Sequence, residues 1–177
     1  MAASPNLSIV VPCYNEAEVL PETLRRLEGL LTELQAHDRI SAASSIYFVD
    51  DGSRDGTWPL IVSAADAGSP VVGVRLSRNR GHQVALIAGL EAADGDAVIS
   101  IDADLQDDVS AIELMLEKFE QGADIVYGVR RSRDGDSVFK LGSAKAFYRL
   151  LRMLGVETVT DHADFRLLSR RAGNALA

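Results

Sequence analysis

Cysteine is nearly missing from this sequence, since Cys13 is the only one among 177 residues. A framework of disulfide bonds and a zinc site built from several cysteines are therefore excluded, and a reducing compartment is expected. No apolar run approaches the roughly 20 residues that a membrane-spanning helix needs. The N-terminus has no basic segment followed by an apolar core, so no secretory signal is predicted and we expect a cytoplasmic location.

Several motifs that would identify a chemistry are also missing. The sequence has no glycine-rich phosphate-binding loop ending in Lys-Ser or Lys-Thr, and no G-x-G-x-x-G turn after its first apolar run. It has neither the H-E-x-x-H pattern of zinc proteases nor the G-x-S-x-G pattern of serine hydrolases. Phosphate binding by a glycine loop and elbow-type serine catalysis are therefore unsupported, so any nucleotide would have to be held in another way.

The composition is that of an ordinary globular protein, with 47% hydrophobic and 25% charged residues. The formal net charge of −8 disfavours binding to nucleic acid. Residues 1–129 contain 8 basic and 21 acidic side chains, whereas residues 130–177 contain 10 basic and 5 acidic ones. Either the basic end meets an anionic partner or surface, or the two regions are only unequal solvated faces.

Short apolar runs alternate with amphipathic segments along the first 130 residues. The runs are rich in Val, Ile and Leu without strict polar alternation, which is typical of strands covered on both faces. The segments between them carry apolar residues at helical spacing. This alternation predicts an α/β domain with a mostly parallel sheet flanked by helices. We expect strands at Leu7–Val11, Ile46–Val49, Val71–Leu76, Ala97–Ile101 and Ile125–Val129, and helices near 17–36, 56–67, 82–93 and 109–121.

The pattern changes after Val129. Residues 130–138 are polar and charged, which predicts a mobile loop, and a helix is predicted at 139–154. A short apolar run at Phe165–Leu168 precedes what looks like the start of another helix. We expect a single domain over residues 1–177 whose C-terminal part is truncated.

The predicted helix at 139–154 is basic and amphipathic. Lys145, Arg149 and Arg152 share one face, and an apolar face lies beside it. Such a helix can lie on an anionic membrane surface or guide a lipid phosphate. The alternative is that its apolar face packs on the sheet while its basic face is merely solvated.

Carboxylates follow three of the predicted strands. In an open α/β sheet, ligands bind beyond the carboxyl ends of the strands. The acidic residues placed at that edge are Glu16, Asp50, Asp51, Asp102 and Asp104. Their hard oxygen ligands favour Mg²⁺ or Mn²⁺, and Mg²⁺ usually binds through one or two carboxylates together with substrate phosphates. The sequence therefore predicts a metal–diphosphate site, with turn formation and helix capping as the alternative role of these residues.

Five segments resemble the family 2 glycosyltransferases of the GT-A fold. They are VPCYNE (11–16), VDDGSRDGT (49–57), RNRGHQVALIAGLEAADGD (78–96), DADLQD (102–107) and DFRLLSRR (164–171). Their order and spacing resemble the polyprenyl-phosphate branch, which includes dolichol-phosphate mannose synthases and bactoprenol glucosyltransferases. The resemblance implies a GT-A, Rossmann-like domain.

The resemblance also implies how a nucleotide-sugar donor is bound. One group of residues would line the nucleoside pocket, a second would form the D-x-D element, and a third would hold Mg²⁺ or Mn²⁺ against the diphosphate. The pocket residues are Pro12, Tyr14 and Glu16, with Val49 and Asp51 near the base; the D-x-D element is Asp102, Ala103 and Asp104; the metal ligands are Asp104 and Gln106; Arg130 lies near the phosphates.

The resemblance implies catalytic roles for three residues. Asp104 belongs to the metal site, whereas Asp164 and Arg166 lie in the D-F-R-L stretch that closes the active site near the acceptor. The implied reaction is an inverting transfer of a hexose from a UDP- or GDP-linked donor to a polyprenyl phosphate at the inner face of the membrane. Two alternatives stay open: a saccharide or other soluble acceptor, and a truncated nucleotide-binding domain with little turnover.

Overall fold

The computed structural model describes residues 4–104, 106–129 and 162–176. The chain divides into one compact unit, residues 1–127 with 164–177, and a second, residues 128–163. Nearly all of the described residues belong to the first unit. The loop predicted at 130–138 and the helix predicted at 139–154 lie outside the described residues. Both stay predictions, as does the extent of a single domain over residues 1–177.

Strands and helices alternate along the described chain, as the apolar pattern predicted. The strands are β1 (Leu7–Cys13), β2 (Ser45–Asp50), β3 (Val71–Arg75), β4 (Ala97–Ser100), β5 (Ile125–Val129) and β6 (His162–Ser169). The helices are α1 (Leu20–Ala36), α2 (Thr57–Asp66), α3 (His82–Ala92), α4 (Ala111–Glu120) and α5 (Arg170–Leu176).

The six described strands form one sheet in the order β3-β2-β1-β4-β6-β5. β1 pairs in parallel with β2 and β4, and β2 pairs in parallel with β3. β6 runs antiparallel to β4, with Arg166 opposite Ser100. The carboxyl ends of β1, β2 and β4 therefore meet at one edge, and the antiparallel strand brings Arg166 to that edge. The predicted α/β fold with a mostly parallel sheet is confirmed.

Burial explains why the apolar runs lack polar alternation. Every residue of β1 and of β4 is buried. α3 packs against β1 and β2, where Ala85 and Leu86 share an apolar cluster with Val10 and Val49. Gly89 permits this close packing, because a Cβ there would lie 2.3 Å from Val10 Cγ1. A strand that is covered on both faces needs apolar side chains in both directions.

The apolar pattern predicted that α1 begins near residue 17, but the helix begins at Leu20. The backbone N–H groups of Glu16 and Ala17 donate to side chains of the segment after β2, so this stretch is held as a loop. The other predicted ends of helices and of β1–β5 differ from the observed ends by at most two residues. The apolar run at Phe165–Leu168 lies within β6, which the sequence pattern had not assigned as a strand.

Candidate active site

A cavity of about 410 Å³ opens at the carboxyl edge of the sheet. Its walls come from the segments that follow β1, β2 and β4 and from the start of α3. We call residues 12–17, 51–57 and 78–82 the first wall and residues 102–104 the second wall. The lining residues are Pro12, Cys13, Tyr14, Glu16, Asp51, Asn79, Gly81, His82, Ala85, Asp102, Ala103 and Asp104.

Hydrogen bonds between two loops build most of the first wall. The backbone N–H of Asn15 donates to Ser53 Oγ at 2.9 Å, and that of Glu16 donates to Thr57 Oγ1 at 2.8 Å. In return, the N–H of Arg54 donates to Asn15 Oδ1 at 2.9 Å. Asn15 has a φ of 57°, a left-handed conformation that asparagine adopts more readily than most residues. The loops after β1 and β2 therefore hold each other in place.

Asp51 connects these loops to the start of α3. Its carboxylate is buried, and Oδ1 and Oδ2 accept the backbone N–H groups of Arg80 and Gly81 at 2.6 and 2.8 Å. The same segment passes directly over Gly52, since a Cβ there would lie 2.6 Å from the carbonyl carbon of Arg78. The Asp-Gly pair therefore fixes the segment that leads into α3 at the edge of the cavity.

The second wall is anchored through its backbone. The carbonyl oxygen of Ala103 accepts the hydroxyl of Thr23 in α1 at 2.6 Å. Asp104 is exposed, and its Oδ1 accepts the backbone N–H of Gln106 at 3.1 Å. Asp102 Oδ1 lies 3.8 Å from Nε2 of His82 in the first wall. The second wall thus presents two carboxylates to the cavity from a fixed backbone.

Negative charge accumulates around Glu16. Burial raises the pKa of its carboxyl group above the usual value, and the carboxylates of Asp104, Asp55 and Asp102 raise it further. The described lining residues include no lysine or arginine that offsets this charge. His82 is the basic side chain among the described lining residues, and it faces several carboxylates, an excess of negative charge that favours a cationic ligand in the cavity.

These residues fit a hard divalent cation that also binds phosphate. Mg²⁺ keeps several water ligands and usually takes one or two protein carboxylates together with substrate phosphates. In the part of the chain that the structure describes, no three His, Cys, Asp or Glu side chains form a metal-binding group. Asp102 and Asp104 both line the cavity and could supply the one or two carboxylates that such a complex needs.

Cys13 and Asp50 lie near the cavity but have structural surroundings. Burial, followed by the charges of Glu16 and Asp50, raises the pKa of the Cys13 thiol, which therefore stays protonated. Asp50 is fully buried; its Oδ1 accepts the backbone N–H of Ser53 at 3.0 Å, and its Oδ2 lies 3.3 Å from Arg75 Nε. Both residues support the loops of the first wall.

The structure brings most of the predicted site residues to the cavity. Those that line it are Pro12, Tyr14, Glu16, Asp51, Asp102, Ala103 and Asp104. Val49 is instead buried in the apolar cluster beneath α3, and Gln106 is exposed beside Asp104; neither is among the lining residues. The roles assigned to these residues stay predictions.

The residues predicted near the phosphates and the acceptor are less fully described. Arg166 is partly buried in β6, and its Nε is buried without a hydrogen-bond partner. Arg130 and the side chain of Asp164 lie outside the described residues, so their roles also stay predictions.

The sequence analysis did not assign three residues that shape the site. Asn79 and Ala85 line the cavity, and Thr23 anchors the second wall. A signal existed for Thr23, because it is a polar residue within the apolar stripe of α1 and is buried there. For Asn79 the signal was its place two residues before Gly81, whose φ of 92° lies at the start of α3.

The family model described as glycosyl transferase family 2 matches residues 8–175. The chain belongs to this family. The matched range covers both walls of the cavity and β6. The predicted resemblance to family 2 glycosyltransferases is confirmed.

Curated relatives extend the same finding. The glycosyltransferase YkoT of Bacillus subtilis is 49% identical over 172 residues, which are 96% of this chain and 51% of the relative. A prophage bactoprenol glucosyl transferase homolog of Escherichia coli is 38% identical over 168 residues, which are 93% of this chain and 52% of the relative. The chain therefore spans about half the length of the curated relatives it matches.

Two solved structures share the fold at low sequence identity. A Pyrobaculum calidifontis mannosyltransferase in complex with GDP-Man and Mn²⁺ has a TM-score of 0.66 and 23% identity, covering 98% of this chain and 47% of the other. Glucosyl-3-phosphoglycerate synthase of Mycobacterium tuberculosis in complex with Mn²⁺ and UDP has a TM-score of 0.62 and 21% identity, covering 96% and 58%. These likenesses show that the fold is that of the GT-A glycosyltransferases.

Within the described ranges, no helix is both long enough and apolar enough to cross a bilayer.

Proposed function

We propose that this domain binds a nucleotide-diphosphate sugar with Mg²⁺ or Mn²⁺ in the cavity and catalyses an inverting hexosyl transfer to a polyprenyl phosphate. One observation carries the proposal: the acidic pair Asp102 and Asp104 borders the same cavity as a hydrogen-bonded wall that contains Tyr14 and Asp51. Membership of glycosyl transferase family 2 supports the reaction class. The GDP-Man and UDP complexes of proteins with the same fold support the donor class.

The first wall is proposed to hold the nucleoside. Tyr14 is 41% exposed on a loop that is fixed at Asn15 and Glu16, so its ring is available to a planar base. Pro12 and Glu16 contribute to the same side of the cavity. Asp51 maintains the wall through the backbone of residues 80–81. A preformed pocket lowers the ordering cost of binding, which favours affinity for the nucleotide.

The second wall is proposed to hold the diphosphate through a divalent cation. Asp104 supplies the carboxylate ligand and Gln106 a further oxygen ligand, while Asp102 and Ala103 complete the D-x-D element. When bound, the cation stabilises the negative charge that develops on the departing nucleoside diphosphate. Arg130 is proposed to share this charge from the segment after β5.

The acceptor is proposed to be a polyprenyl phosphate at the inner face of the membrane. A phosphate monoester is largely ionised near neutral pH, so its oxygen attacks the anomeric carbon with little help from a general base. The bond to the diphosphate breaks on the opposite face, which inverts the anomeric configuration. Asp164 and Arg166 are proposed to orient this acceptor. The bactoprenol glucosyl transferase homologue supports a lipid acceptor over a soluble one.

Calorimetric titration tests donor binding directly. UDP and GDP are each titrated into the chain with Mn²⁺ and, separately, with EDTA. We expect one nucleotide to bind with Mn²⁺ and to lose its affinity in EDTA. The Asp104→Asn variant is expected to bind the nucleotide at least about 10-fold more weakly. Changing only the residues around a metal ligand already lowers metal affinity by about 10- to 100-fold.

Asp108→Asn is the matched control. Asp108 is also exposed and follows β4 closely, and its carboxylate accepts the N–H of Ser110 rather than lining the cavity. This variant is expected to bind the nucleotide like the unchanged chain. If neither nucleotide binds the folded chain, or if both variants lose affinity equally, the proposed donor site is wrong.

A further inference from the structure

Most basic side chains of the acidic part of the chain are engaged with neighbours. Arg25 and Arg26 pair with Glu22, Arg39 pairs with Glu113 and Glu120, Arg75 pairs with Asp50, and Lys118 donates to Gln121. Across residues 4–104 and 106–129, the basic side chains that make neither a hydrogen bond nor an ion pair are Arg54, Arg78 and Arg80. Two of these three arginines lie in one short segment, directly before α3.

This segment presents its arginines from a fixed backbone. The N–H of Arg80 donates to buried Asp51, and the backbone of Arg78 passes directly over Gly52. Both arginine side chains are exposed. Neither lines the cavity, although Asn79 between them does. The two positive charges therefore lie outside the cavity, next to its edge, on a loop that is already ordered.

The helix that follows adds an exposed apolar face. Val84 and Ile87 are one turn apart in α3 and are 46% and 49% exposed. The opposite face of the helix, with Ala85, Leu86 and Gly89, is buried against the sheet. A single exposed apolar side chain is ordinary, but two on one face beside unpaired arginines form a combined basic and apolar surface.

We propose that Arg78, Arg80, Val84 and Ile87 form a docking surface for the anionic face of a lipid bilayer, which we call the α3 surface. Arginines attract anionic headgroups, while aliphatic side chains on an adjacent face enter the interface. Because the start of α3 also lines the cavity, docking brings the cavity mouth to the bilayer. The inference rests on the proposed function, since a polyprenyl phosphate acceptor resides in that bilayer.

Charge and area both favour a bilayer over a second copy of the chain. The 21 acidic and 8 basic side chains of residues 1–129 oppose both a second copy and an anionic bilayer over most of the surface, so only the local charge at Arg78 and Arg80 distinguishes the two occupants. In a symmetric dimer through this surface the arginines of the two copies would face each other and repel, whereas an anionic bilayer attracts them. Two aliphatic side chains also provide far less than the roughly 800 Å² per partner of a standard protein interface.

Co-flotation with vesicles tests the α3 surface. The chain is mixed with vesicles of phosphatidylcholine alone or with about one-third phosphatidylglycerol, and we expect binding to the anionic vesicles. The double variant Arg78→Gln/Arg80→Gln is expected to partition about 25-fold more weakly, because each arginine near an anionic surface contributes about fivefold. Arg54→Gln, which removes the unpaired arginine of a different loop, is the control and is expected to bind like the unchanged chain.

A second pair of variants tests the apolar part. Ile87→Ser is expected to weaken vesicle binding several-fold. Leu114→Ser is its control, since Leu114 is 62% exposed on α4, and is expected to have no effect. The basic helix predicted at 139–154 is unchanged in every variant, so differences between a variant and its control report the α3 surface alone.

Three results would overturn the inference: binding that does not depend on phosphatidylglycerol, equal losses in the variants and their controls, or light scattering that finds a dimer which Ile87→Ser converts to a monomer. Calorimetry with nucleotide separates this inference from the proposed function. Metal-dependent nucleotide binding without vesicle binding would reject the α3 surface alone. Vesicle binding that depends on Arg78 and Arg80, without nucleotide binding, would reject the donor site and leave the surface supported.

Discussion

The two walls of the cavity are built in different ways. In the first wall, side chains of one loop bond the backbone of another: Ser53 and Thr57 accept N–H groups of the loop after β1, and Asp51 accepts those of residues 80–81. In the second wall, the backbone is anchored by Thr23, but the carboxylate of Asp104 is exposed and accepts a bond only two residues away. The first wall is therefore organised by the fold, whereas the second keeps its acidic groups available to a ligand.

This difference indicates how folding and binding are divided across the site. Loss of an inter-loop contact in the first wall should lower stability, because buried backbone donors lose their acceptors. Loss of a carboxylate in the second wall should lower affinity with little change in stability, since an exposed acidic group surrounded by like charges contributes little to folding. The predictions below test this division, from the largest expected effect to the smallest.

Asp51→Ala tests the inter-loop bonding of the first wall. The substitution leaves the N–H groups of Arg80 and Gly81 without their acceptors, which we expect to lower the free energy of unfolding by about 2–4 kcal/mol. Urea denaturation followed by circular dichroism measures the change. Asp104→Ala is the comparison, and it is expected to alter stability by less than about 0.5 kcal/mol. Equal destabilisation by the two substitutions would remove the distinction between the walls.

Gly52→Ala tests the close approach of the two loops in the first wall. The added Cβ would lie 2.6 Å from the carbonyl carbon of Arg78 and from the backbone nitrogen of Asn79, and the φ of 69° is strained for alanine. We expect a loss of about 2 kcal/mol or more of unfolding free energy, from the backbone strain and the displaced loop together. Thermal unfolding provides the measurement.

Gly68→Ala is the matched control for that substitution. Gly68 also has a positive φ, of 84°, but a Cβ there meets nothing within 4 Å. Gly68→Ala should therefore lower the free energy of unfolding only through backbone strain, by about 1 kcal/mol. If Gly52→Ala is no more destabilising than this control, the loops are not packed as closely as described.

Thr23→Val tests the anchor of the second wall. Valine preserves the shape of the side chain but removes the hydroxyl that donates to Ala103 at 2.6 Å. We expect stability to fall by about 1 kcal/mol and nucleotide affinity to fall with it, since the D-x-D backbone loses its support. Thr32→Val removes a hydroxyl that bonds within α1 on the exposed surface, and it should leave nucleotide affinity unchanged. Equal affinity in the two variants would contradict a positioning role for Thr23.

The smallest effect is expected at Cys13, where the first wall meets the core. Because burial raises the pKa of this thiol, it should not react with Ellman's reagent in the folded chain at mildly alkaline pH, and it should react after unfolding. In the unfolded chain the thiol ionises near its usual pKa of about 8.5. Stability should therefore decrease as pH rises above that value, and Cys13→Ala should reduce this decrease. Rapid labelling of the native chain would show that the wall opens.

The sheet and the carboxylates at its edge could both be predicted from the unbroken apolar runs in the sequence. Strands covered on both faces carry unbroken apolar runs, and the carboxyl ends of parallel strands share one edge, which places Glu16 and Asp102 together once β1 and β4 pair. β6 was missed as a strand because its apolar run, Phe165–Leu168, is short and interrupted by Arg166, and polar residues flank it on both sides.

The bonding between loops was also beyond the sequence pattern. Ser53 and Thr57 are residues expected in any turn. Their hydroxyl oxygens can accept the N–H groups of Asn15 and Glu16 only after β1 and β2 are paired. Val49 was predicted near the base because of its motif, and that role stays a prediction. Its side chain lies in the apolar cluster beneath α3, since alternate residues of a strand point to opposite faces and this one faces α3.

Paramagnetic broadening by Mn²⁺ tests most directly whether the second wall receives a metal–nucleotide complex. Amide signals of the isotope-labelled chain are compared with Mn²⁺ alone, with Mn²⁺ and GDP, and with Mn²⁺ and UDP. We predict that one nucleotide makes Mn²⁺ broaden the signals of Glu16, Ala103 and Gln106 selectively, while signals of α4 stay sharp. Selective broadening elsewhere, or none with either nucleotide, would contradict the proposed donor site.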